Sequence, residues 1–165
     1  YIDLKQESSN IACGFGFRAF AGGKYEKEYK NLKAKLSYGE EDAVFPNRQI
    51  HDSFLNLVSQ NFYDIFAFNM QGYDKYEKDI KDRFDAQAVA GAVAGLYGLN
   101  EAIILFDEQQ TFWAATLVYR ESDDMPEVHY FTNSKPHQSA LPFTIENWKN
   151  GFSEYPVVIH YKEKK

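Results

Sequence analysis

The apolar period of this chain changes once, near Gly98, and that change limits what it can fold into. Before it, Ile50, Phe54, Leu57, Val58, Phe62, Ile65 and Phe66 recur at three- and four-residue steps, which predicts a core helix over about 48–67. Tyr25, Tyr29, Leu32 and Leu36 make a similar stripe over 24–38, with Gly39 as its stop. Tyr76, Ile80 and Phe84 lie four apart and run into Ala88-Val89-Ala90-Gly91 and its repeat Ala92-Val93-Ala94-Gly95. That stretch reads as one long helix or as two joined near Asp85. After Gly98 the pattern is that of a sheet: an apolar run at 102–106, an alternating segment at 111–120, and a further strand at 128–132. Thr144 is placed to cap a short helix to Asn150, and Pro156 introduces a last strand over 157–161. An earlier strand is predicted where Ile11, Cys13, Phe15 and Phe17 alternate with smaller or polar residues.

Helices first and strands afterwards define an α+β fold: N-terminal helices packed on one face of an antiparallel sheet of four or five strands, formed mainly by the C-terminal half. With 165 residues and no Pro- or Gly-rich linker, the chain is expected to be a single domain over 1–165. Cys13 is the only cysteine, so packing rather than an internal disulfide must hold the fold. The chain opens at Tyr1 rather than Met on a polar segment, which implies that any targeting segment has been removed or was never expressed. The small-apolar stretch at 86–99 is shorter than the ~20 residues that span a bilayer, and no membrane partner is expected.

Motifs of known chemistry are weak. Gly14, Gly16 and Ala19 match the letters of a dinucleotide fingerprint, but the strand alternation continues through them where a helix should open. Gly91 and Gly95 are read as a close backbone approach. No two of His51, His129, His137 and His160 lie four apart and Cys13 has no ligand partner nearby, so no metal and no cofactor is expected. His51 and Asp52, consecutive on a helix, are expected to point about 100° apart. His129 and His160 fall on different strands and would meet if those strands are neighbours, with Glu127 or Glu163 as orienter.

Charge is the remaining signal. Between Asn100 and Asn133 there are seven acids and one base, Arg120, whereas the rest of the chain balances at 17 against 17. The net charge of −6 therefore sits on the strand meander and its turns, and it argues against direct nucleic-acid binding. An aromatic content of 17% supplies side chains suited to interfaces and to sheets alike. The reading this supports is a non-catalytic inhibitor, an immunity-type protein that covers a basic, nuclease-like toxin or effector. The expected partner-binding residues are Asp107, Glu108, Trp113, Tyr119, Glu121, Asp123, Asp124, Glu127 and Tyr130. Such a protein would work in a bacterial cytoplasm or periplasm. The alternatives are a small enzyme with a non-local His/carboxylate site, or a domain that walls a small ligand with aromatic residues.

Overall fold

The structure is a computed structural model and describes residues 2–4, 23–25, 36–76, 82, 85–119 and 125–164. The strand expected at 11–17, with Cys13 and the fingerprint glycines, and most of the stripe at 24–38 lie outside these residues. Within 24–38, Gly23–Tyr25 is a strand, β2, paired antiparallel with β1 (Ile2–Leu4), and residues 36–38 are not helical.

The fold is α+β: one long helix, α1 (Arg48–Asn69), followed by a six-stranded mixed sheet. Its strands lie in sequence order, β3 (Gly72–Tyr76), β4 (Ala86–Ala92), β5 (Glu101–Asp107), β6 (Phe112–Val118), β7 (Glu127–Thr132) and β8 (Val157–Tyr161). Several expectations are corrected. The sheet has six strands rather than four or five, and β8 runs parallel to β7 after a crossover through α2 (Phe143–Lys149). Among the described residues, the long helix follows the β1–β2 ribbon and is the one helix ahead of the sheet, where a set of N-terminal helices is expected. The third correction is β4, which occupies the alanine- and glycine-rich stretch read as helical. Alanine favours a helix by a few tenths of a kcal/mol per residue, and pairing on both sides with β3 and β5 outweighs that preference.

The helices cover both faces of the sheet rather than one. Alternation along the strands sends Val89, Ala102, Ile104, Phe106, Phe112, Ala114 and Phe131 to the α1 face, where they pack with Phe54, Val58 and Phe66. Ala88, Ile103, Leu105, Trp113, Ala115, Leu117, Val128 and Tyr130 pack with Ile145 and Phe152 on the other face. Between two covered faces, all seven residues of β6 are buried. Tyr130 is wholly buried, and among the described residues its hydroxyl meets no partner of good hydrogen-bond geometry. The Thr132 hydroxyl on the same face donates instead to the Phe112 carbonyl (2.7 Å). Burial raises the ionisation of Tyr130 well above the usual phenol range.

α1 is broken in the middle. Ser59 has φ 67° and ψ 163°, a region of the backbone map that belongs to glycine. The rings of Phe54 and Phe66 are 5.2 Å apart, and His51 Nε2 lies 2.9 Å from the Tyr63 hydroxyl. Each pair is twelve residues apart, which is about 18 Å along a straight helix. The two halves therefore turn sharply at Ser59 and pack on each other. The carbonyl of Asn56, which the amide of residue 60 would meet in an unbroken helix, accepts from Lys162 Nζ just beyond β8.

Close approach explains one glycine. A Cβ on Gly91 would lie 2.7 Å from the Gly72 carbonyl oxygen and 2.9 Å from Tyr73 Cβ, so the turn from α1 into β3 crosses β4 only over a bare backbone. At the start of α2, the expected Thr144 cap is replaced by a residue distant in sequence. Asp82 accepts from the backbone amides of Phe143 (2.6 Å) and Thr144 (2.7 Å), while Pro142 holds the N-cap position.

Candidate binding surface

Strand order decides which connections meet. Val118 is opposite Glu127, Ala102 is opposite Thr116, and Ala92 is opposite Glu101. The β4–β5 connection (93–100) and the β6–β7 connection (119–126) therefore leave the same end of the sheet, where α1 also finishes. The β5–β6 turn leaves the other end.

The shared end carries four exposed apolar side chains: Tyr97 (72% exposed), Tyr119 (55%), Met125 (44%) and Leu99 (41%). Residues 93–101 and 119–127 contain five acids, Glu101, Glu121, Asp123, Asp124 and Glu127, against the single base Arg120. Gly95 and Gly98 take φ of 83° and 80°, which lets the first connection turn tightly and project Tyr97. Beneath it Asn69, wholly buried, donates to Thr116 Oγ1 and the Leu117 carbonyl (both 2.9 Å) and accepts from Asn100 Nδ2 (3.1 Å). That network pins the helix end, β5 and β6 to one another, so the exposed side chains stand on a rigid base. Beside it lies an open groove of about 740 Å³, walled by Tyr73, Asp74, Tyr97, Glu101 and Trp148 over a floor of Ala90, Gly91 and Ala92. Among the described residues no Lys or Arg lines it. Aromatic faces beside carboxylates favour a cationic group.

The residues expected from sequence are dispersed by the fold. Tyr119 and Glu127 belong to this end. Glu121, Asp123 and Asp124 fall in the same connection and lie outside the described residues. Asp107 and Glu108 stand at the opposite end, beside a cavity of about 490 Å³ that Asp85 also lines. The Asp107 carboxylate there accepts from the Thr111 amide (2.7 Å) and holds the turn. Trp113 and Tyr130 are core residues under α2 and its following turn, and the Trp113 indole donates to His137 Nδ1 (3.2 Å). Tyr97 is one of the tyrosines that the sequence places at element ends and is not among the expected contact residues, although the two glycines flanking 96–97 mark an exposed turn; Leu99 and Met125 carry no such signal.

The histidines form two clusters. His51 Nδ1 lies 2.9 Å from Asp52 Oδ1, so the side chains expected to diverge do meet: side-chain rotation closes a gap that helix geometry alone leaves open. The hydrogen bond from His51 and then the nearby Arg48 hold the Asp52 carboxyl below its usual range. The second cluster joins His129 Nδ1 to His160 Nε2 (3.0 Å) and His129 Nε2 to Glu127 Oε2 (3.1 Å). Burial, and then the charge on His129, lower the pKa of His160. None of the cavities above is lined by either histidine. Among the described residues, no group of three or more His, Cys, Asp or Glu could hold a metal ion, and no helix is long and apolar enough to cross a membrane. Compared with known proteins, the chain matches no family model, no curated protein and no solved structure.

Proposed function

We propose that this chain is a non-catalytic binding protein of the inhibitor type, which neutralises a basic, nuclease-like toxin or effector by holding it against the acidic, aromatic end of the sheet. The observation that carries this reading is the convergence of Tyr97, Leu99, Tyr119 and Met125 with Glu101 and Glu127 at one end of a rigid sheet. Exposed aromatic side chains on a fixed base supply contact area at small entropic cost, and the surrounding acids steer a cationic partner. The groove beside Tyr97 suits a Lys or Arg side chain of that partner. Asp107 and Glu108, at the far end, contribute to long-range potential rather than to contact.

The test uses a basic nuclease domain encoded beside this chain or co-purifying with it. Tyr97→Ala and Tyr119→Ala should each raise the dissociation rate at least tenfold. Glu101→Lys with Glu127→Lys should slow association and flatten its salt dependence. A complex that forms equally well with all four substitutions, or a partner without excess positive charge, would remove this reading.

A further inference from the structure

Glu127, His129 and His160 form a line across the parallel β7–β8 pair, at the strand that ends the sheet. The register sets Phe131 opposite His160, whose ring stacks on Phe131 at 4.3 Å and 7°. Phe62 of α1 closes over the group, 5.1 Å from the His129 ring and 5.4 Å from that of His160. Thr116 stands opposite His129 on β6, and Lys162 follows two residues after His160. His129 is buried and His160 half-buried, so water reaches the pair only from the His160 side.

We propose that the His129–His160 hydrogen bond is a proton-operated latch that holds β8 on the sheet, closed while the pair carries at most one extra proton and open when it carries two. The Glu127 carboxylate only accepts, so the Nε2 of His129 bears a proton. Its Nδ1 then accepts from the Nε2–H of His160. One added proton leaves this bond in place, since the ring that takes it donates and the other accepts. A second makes both rings imidazolium and sets two N–H groups 3.0 Å apart with like charges. Among the described residues, Glu127 is hydrogen-bonded to His129 and not to His160, and the nearest cation along β8, Lys162, is committed to the Asn56 carbonyl and adds to the repulsion. Phe62 and Phe131 offer no acceptor. The strand that yields is β8, which among the described strands pairs with β7 alone. The downward pKa of His160, set by burial and then by His129, accords with this. The latch does not depend on the basic-partner reading.

Hydrogen exchange of the intact protein, corrected for the intrinsic pH dependence, tests it. Between pH 7 and pH 4.5 the amides of residues 157–161 should lose about tenfold protection for each pH unit below the second protonation, while β5 keeps its own. His160→Gln still donates to His129 Nδ1 but takes no proton, and should keep β8 protected throughout. The wild-type pair, followed by side-chain nitrogen NMR, should take up its two protons in separate steps, with β8 resonances moving at the second. Three outcomes overturn the latch: β8 and β5 losing protection together, equal loss in His160→Gln, or both histidines titrating in one step near 6.5.

Discussion

The break in α1 makes a prediction whose sign depends on it. At φ 67° and ψ 163°, Ser59 occupies backbone territory that costs a side chain-bearing residue about 1–3 kcal/mol. Ser59→Gly removes that strain. It also frees the unfolded chain, at a cost of about 0.5–1 kcal/mol. The net gain should be about 0.5–2 kcal/mol, and Tm should rise by about 2–4 °C for each kcal/mol in a chain of this size. The Ser59 side chain is exposed, so Ser59→Ala keeps the strain and should change little. A continuous helix demands the reverse order, with alanine stabilising by a few tenths of a kcal/mol and glycine destabilising by a similar amount. Urea unfolding of the three proteins decides it: the glycine variant should have the highest midpoint at unchanged m. If alanine ranks above serine and glycine below it, the two halves of α1 are collinear and the argument from His51–Tyr63 and Phe54–Phe66 collapses.

Other consequences follow from buried groups. Tyr130→Phe deletes a hydroxyl that is buried without a well-placed partner among the described residues and should be neutral or stabilising by up to about 1 kcal/mol in chemical denaturation. Asn69→Ala leaves the Leu117 carbonyl and the Thr116 hydroxyl short of their donor and should cost about 2–4 kcal/mol, read in the same assay. Gly91→Ala meets backbone at 2.7 Å and should cost more than about 3 kcal/mol or abolish soluble expression. Because His160 is held below the ordinary histidine value of 6.5, its neutral form is favoured on folding. Its contribution to stability is therefore present above about pH 6.5 and is lost as the pH falls through the unfolded value toward the lower folded one. Unfolding midpoints at pH 7.5 and 5.5 should show that loss in the wild type and a smaller one in His160→Gln.

How much was legible varies with the element. The core helix and the strands at 101–107, 112–118, 127–132 and 157–161 were visible because each carries its own period, set by which faces it buries. β4 was not visible. Alternate alanines resemble a helix and a half-covered strand equally, and only the neighbours β3 and β5 decide between them. The bend at Ser59 left no mark either, since neither glycine nor proline stands there and the apolar spacing continues across it. The seven acids were counted correctly, yet consecutive hairpins send their turns to opposite ends, which separates Asp107 and Glu108 from Glu127. Trp113 and Tyr130 look like contact residues in a one-sided sheet and are core because α2 covers the second face.

Sequence alone therefore determined what each segment tends to be and how the charge is apportioned along the chain, because both are local properties of the side chains. Only the tertiary structure decided what meets what. The pairing of His129 with His160, the sharing of one end by Tyr97 and Tyr119, and the strain at Ser59 all arise from strand order and from contacts between segments far apart in the chain. Those depend on packing free energy summed over the whole molecule, and no local pattern records that sum.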